Sequence, residues 1–145
     1  MKSLLTSLLC VAALAAGACN STLIVRTDGP FIEETGISVP VPPPSLRAAP
    51  MQLVDIEGSL EIGAPQPRTT VFLYEGGSAR GYFQYAEDDG SFGFTSVELD
   101  LTDNCIEVWY EEPGAEGRHS EHSFFTATIA EDDQSVITKQ LMGGC

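Results

Sequence analysis

Positive charge is the scarcest commodity in this sequence: seven Lys and Arg stand against 21 Asp and Glu, and the formal net charge at pH 7 is −14. Such a surface repels phosphate backbones, so nucleic acid is excluded as a partner, and it repels anionic lipid headgroups too. Long apolar runs are also missing. The longest, Leu4 to Ala16, covers thirteen residues, short of the roughly twenty that a membrane-crossing helix needs. No stretch shows a convincing helical period. There is no phosphate-binding loop, and Lys139 is the only lysine after Lys2. In "GGSAR", Ser78 follows two glycines, but Arg80 stands where a nucleophile elbow requires Gly. The sequence therefore presents no catalytic set and no cofactor site, and the expectation is a protein that is not an enzyme.

What is present begins with an export signal: Lys2, the apolar stretch to Ala16, then the small residues Gly17 and Ala18. Ala16, Gly17 and Ala18 satisfy the small-x-small rule for ordinary signal peptidase. The stretch "LAAGAC" also resembles the lipobox of bacterial lipoproteins, although Ala16 stands where that family most often has Leu. The resemblance implies that Cys19 receives a diacylglyceryl group and becomes the first residue after cleavage. Cysteine arithmetic supports this. Of Cys10, Cys19, Cys105 and Cys145, the first leaves with the signal, and an odd count in an exported protein implies a free thiol or an intermolecular bond. Lipidating Cys19 leaves one pair, Cys105 with Cys145, expected as a disulfide in an oxidising compartment. Because Cys105 shares a strand face with Glu107, that bond is expected on the outside or an edge of the fold. Membrane attachment would then come from acyl chains. Asn20 is not the Asp that retains lipoproteins at the inner membrane in enteric-type sorting, which makes the outer membrane the expected location.

Six of the nine prolines fall between Pro30 and Pro50. The run "VPVPPPSLRAAP" reads as an extended spacer, and at about 3.1 Å per residue positions 40 to 50 would span roughly 30 Å. Residues 19–50 are thus expected as a tether and 51–145 as one domain. The short run "STLIVRTD" (21–28) could be a strand or part of the tail. From Met51 the pattern has period two: Val54, Ile56, Leu60 and Ile62 alternate with Asp55, Glu57, Ser59 and Glu61. Six further strands are expected at "TTVFLY" (69–74), "ARGYFQYA" (79–86), "SFGFTSVEL" (91–99), "CIEVWY" (105–110), "SFFTATIA" (123–130) and "SVITKQL" (135–141). Seven short strands between Gly-, Pro- and Asp-rich turns predict an all-β antiparallel sandwich. Phe92 and Phe94 lie on one parity and Val97 and Leu99 on the other, so a bulge is expected near Thr95.

Over roughly residues 54–130 the chain resembles the repeat of bacterial immunoglobulin-like domains in surface proteins. The matching residues are Gly63 in a turn, Asp89, Gly90, Ser91 and Phe92 in an acidic turn, and Asn104, Ile106 and Val108 in an "N-x-I-x-V" strand. A transthyretin-type sandwich shares the first two features. The resemblance implies an immunoglobulin-like, or transthyretin-like, scaffold used for adhesion, spacing or ligand binding, with no single function attached.

Three places carry candidate chemistry. Glu87, Asp88 and Asp89 concentrate carboxylates beside Gly90, as calcium sites do, but Asp-Gly between apolar runs is also a hairpin signal, and a plain turn is expected; the same holds for "EDD" at 131–133. His119 and His122 flank Glu121, and imidazoles with a carboxylate can bind zinc. On a strand their spacing sends the rings to opposite faces and no third ligand is evident, so a solvated loop is expected and no metal. In "CIEVWY" the alternation puts Trp109 on the charged face with Glu107, making it the candidate binding residue unless the C-terminal tail covers it. The function that follows is a lipid-anchored cell-envelope protein whose sandwich binds an envelope protein or glycan, or acts structurally. The alternative is a metal-dependent or hydrolytic envelope protein.

Overall fold

The computed structural model describes residues 28–61, 65–114 and 119–145. The signal, Cys10, Cys19 and most of the 21–28 run lie outside them. Among the described residues there is no helix and there are eight strands: β1 (Ile37–Ser38), β2 (Met51–Ser59), β3 (Thr70–Glu75), β4 (Arg80–Tyr85), β5 (Ser91–Asp100), β6 (Ile106–Glu111), β7 (Ser123–Ile129) and β8 (Val136–Leu141). They form two antiparallel sheets, one ordered β1-β2-β5 and the other β4-β3-β6-β7-β8. The molecule is a β-sandwich, and seven of its strands fall where the alternation predicts them.

The period-two pattern supplies the core directly. Val54, Ile56, Val97 and Leu99 of the three-stranded sheet and Val71, Leu73, Ile106, Val108 and Phe125 of the other are buried, each side chain contributing about 1.5–3 kcal/mol. The parity change in β5 is resolved by a bulge: Val54 pairs with Val97 and Ile56 with Phe94, so Thr95 and Ser96 together oppose Asp55. Ser96 takes a positive φ of 56° there and donates its N–H to Asp55 Oδ1 at 3.0 Å. β4 and β5 belong to different sheets, so the acidic turn at 87–90 joins the sheets and does not close a hairpin; Gly90 donates its N–H to Glu87 O at 2.9 Å and takes a φ of 89°, a conformation suited to glycine.

The proline-rich stretch departs from the expected spacer. Ile32, Ile37 and Leu46 join the same core as the strands, Phe31 bridges to Ser59, and Ile37 pairs with Ile56. Leu46 and Arg47 donate their N–H groups to Asp133 O and Oδ1, and Gln134 Nε2 donates to Pro44 O. Prolines suppress regular pairing here, but the apolar residues between them still gain by leaving water, so the segment is folded onto the domain. The two sheets also meet along their edges. Thr138 N–H donates to Glu34 O, while Arg80 pairs with Glu98 and Glu98 N–H reaches Tyr82 Oη, which covers edges that would otherwise invite another strand.

Asn104, just ahead of β6, ties the sheets together. Its Nδ2 donates to Asp100 O and Ala127 O, both at 2.8 Å, and its Oδ1 accepts the Ala127 N–H at 2.7 Å. Next to it, Cys105 is bonded to Cys145 with Cα atoms 5.9 Å apart. Cys105 is half-buried and Cys145 exposed, so the disulfide lies outside the core.

Candidate functional site

The outward side of the five-stranded sheet carries aromatic residues at the positions that alternate with its core. Register sets Phe72 of β3 between Phe83 of β4 and Trp109 of β6. Phe72 and Trp109 stack with ring centroids 5.4 Å apart and an 11° angle, and Phe83 lies 6.5 Å from Phe72. Phe83 is 71% exposed and Tyr85 59%. Tyr74 and Phe124 lie on the same side, flanking the row.

Trp109 is half-buried, and its second face is covered by His122, 4.8 Å away and within 5° of parallel. The indole is therefore sandwiched between Phe72 and His122. The C-terminal tail runs elsewhere: Cys145 is bonded to Cys105, and Gly144 lies beside the Phe124 ring. With both faces stacked, Trp109 presents ring edges along an aromatic row. The more exposed rings of that row, Phe83 and Tyr85, were not singled out by sequence, although the parity of "ARGYFQYA" separates them from Tyr82 and Gln84.

His122 reaches Trp109 because residues 119–122 are not strand. Ser120 is buried and clamps this loop to β6: its N–H donates to Tyr110 O and its Oγ accepts the Tyr110 N–H. With Ser120 inward, His119 and His122 converge outside. His122 Nε2 lies 3.1 Å from His119 Nδ1, which is itself 2.8 Å from Ser120 O. His122 Nδ1 is paired with Glu107 Oε1, across the sheet from the loop. The expected solvated loop is thus an ordered pair of imidazoles, and the carboxylate that joins them is Glu107 rather than Glu121. Nothing in the local spacing signals this, because Glu107 and His122 are neighbours only through the β6–β7 pairing. The N-terminal segment enters close by: a Cβ on Gly29 would fall 2.3 Å from Ser123 Oγ and 2.8 Å from Glu121 O, so only glycine fits there.

The acidic turns are built as turns. Asp89 Oδ1 accepts both the N–H and the Oγ–H of Ser91, and these bonds hold its carboxyl below the ordinary value of 3.8. Asp132 accepts from Gln134 and Ser135 in the same way, with the same effect. Asp88 is exposed and Glu87 contributes backbone bonds to the turn. Among the described residues no three His, Cys, Asp or Glu side chains converge to hold a metal ion. No family model, curated protein or solved structure matches the chain.

Proposed function

We propose that the chain is an exported bacterial lipoprotein, anchored through Cys19 to the cell envelope, whose sandwich binds an envelope protein or glycan without catalysis. The observation that carries the binding role is the outward aromatic row from Tyr85 and Phe83 through Phe72 to Trp109. Leaving large rings in water is costly for a lone domain, and clustered exposed apolar surface marks interaction sites. Aromatic rings also supply much of the energy at protein contacts. The strand order supports the immunoglobulin-like reading: β1-β2-β5 and β4-β3-β6-β7 follow the A-B-E and C′-C-F-G order of that sandwich, with β8 added beyond the last strand. With residues 31–50 packed on the domain, the tether of the proposal shortens to the residues between Cys19 and about Gly29. Its entry beside the Glu121–Ser123 loop would place the aromatic row near the anchored end.

Two measurements test this. Cys19→Ser is expected to move the protein from membrane to soluble fractions, and an intact mass lacking acyl groups in the parent chain would refute the anchor. In the unanchored Cys19→Ser chain, Phe83→Ser combined with Tyr85→Ser is expected to abolish saturable binding to added envelope fractions while leaving the urea midpoint nearly unchanged. Undiminished binding of that variant relative to Cys19→Ser alone would refute the aromatic row as the binding surface.

A further inference from the structure

We infer that His119 and His122 form a binding site for a borderline divalent cation of the Cu2+ and Zn2+ class, with Glu107 as the residue that orients it. Two imidazole nitrogens bound to one tetrahedral ion at about 2.0–2.1 Å are separated by roughly 3.3 Å. His119 Nδ1 and His122 Nε2 are 3.1 Å apart, so a few tenths of an ångström of movement opens the bite. Three features of the surroundings fit a cation there. Glu107 Oε1 accepts a hydrogen bond from His122 Nδ1–H, which keeps that proton on Nδ1 and leaves Nε2 as the lone-pair nitrogen facing His119, the arrangement in which a carboxylate fixes the tautomer of a metal-bound histidine. His122 is held in place by its stack on Trp109, and the loop by the buried Ser120. The chain's net charge of −14 raises the local concentration of cations.

The protons balance without an added acid or base. In the neutral, metal-free pair His119 Nδ1–H points at His122 Nε2 and Ser120 O. When a cation takes both nitrogens, His119 shifts to its other tautomer by exchange with water, and the proton then sits on Nε2. The two imidazoles occupy two coordination positions and water fills the rest. Among first-row ions Cu2+ binds such nitrogen sites most tightly. The inferred site does not rest on lipid anchoring or on the identity of the partner, although His122 stacks on Trp109 at the end of the aromatic row.

The test uses the full chain, titrated with Cu2+ alone in a non-chelating buffer and followed by the emission of Trp109, the sole tryptophan. His122 stacks on that indole, so Cu2+ on His122 quenches it. Saturable quenching at one equivalent, reversed by excess Zn2+, is expected. His119→Ala, at an exposed position, should weaken binding at least tenfold with an unchanged urea midpoint, and Glu107→Gln should weaken it by about 10–100-fold. Equilibrium dialysis of Zn2+ gives a readout independent of the indole: one ion per parent chain, lost in His119→Ala. Equal Cu2+ titrations for the parent and His119→Ala, or equal Zn2+ uptake, would overturn the assignment, leaving carboxylates as the origin of any cation binding.

Discussion

Asn104→Ala is the substitution whose cost can be worked most directly from the structure. The Asn104 amide satisfies both backbone groups of Ala127, a residue 1% exposed, and also the carbonyl of Asp100. Removing it orphans a donor and an acceptor that water cannot reach, at about 1–3 kcal/mol each. Asp100 is only half-buried, and water can replace its lost bond. The expected loss is therefore about 3 kcal/mol, a large part of the 5–15 kcal/mol typical of a domain, or a Tm lower by roughly 12 °C. Asn104→Asp provides a second check. Its carboxylate still accepts the Ala127 N–H but faces two carbonyl oxygens with no proton to offer, so at pH 7 it should be no more stable than the Ala variant. Urea unfolding with the disulfide intact, compared at unchanged m, measures both. A loss below about 1 kcal/mol for Asn104→Ala would mean that the amide is replaceable by water and that the sheets do not depend on it.

Replacing Cys105 and Cys145 together by Ser opens a loop with a sequence separation of 40; the chain-entropy account gives a loss of about 4 kcal/mol, read as a lower urea midpoint, and an unchanged midpoint would refute the stabilising role. Trp109→Ala removes the middle ring of the Phe72–Trp109–His122 stack and should cost about 2 kcal/mol of stability, less than a fully buried Trp because the indole is half-exposed; a stability change near zero would show that the stack is not cohesive. Acid should destabilise the fold through Asp89, Asp100 and Asp132, whose carboxyls are held below 3.8 by the hydroxyl and backbone N–H groups they accept from. Because the folded values are the lower ones, their contribution is complete above the unfolded value and is lost as pH falls through the folded values. The urea midpoint should therefore decline below about pH 4, and Asp132→Asn should flatten that decline; an identical slope in the variant would refute the assignment.

Local chemistry was enough to determine where the strands are and which side of each faces inward. Alternation is a property of neighbouring residues, so Val54 and Ile56, or Ile106, Val108 and Tyr110, declare a buried face without knowledge of any partner. The parity change at Thr95 and the Asp-Gly turn at 89–90 are equally local, and they stand in the structure as a bulge and a turn; that this turn passes from one sheet to the other, where Asp-Gly between apolar runs signals a hairpin, was decided by the tertiary fold. The Cys105–Cys145 pair, which is bonded in the structure, followed from counting once Cys10 and Cys19 were set aside with the signal and the lipobox resemblance. Composition misled at residues 31–50: proline content reads as a spacer, whereas the fate of Ile32, Ile37 and Leu46 depends on whether a core surface lies within reach, and only the assembled sandwich supplies one. The candidate site belongs mostly to that second category: alternation placed Trp109 beside Glu107 on the outward face of one strand, but Phe72 and His122 come from separate stretches that no periodicity relates to it. They meet because β3 pairs with β6 and β6 with β7 in a particular register, and because a buried Ser120 turns the loop so that two histidines, which a strand would hold on opposite faces, point the same way. Register between strands is decided by the fit of whole faces against the core, which is why the outward neighbours that make this site are a consequence of the tertiary structure.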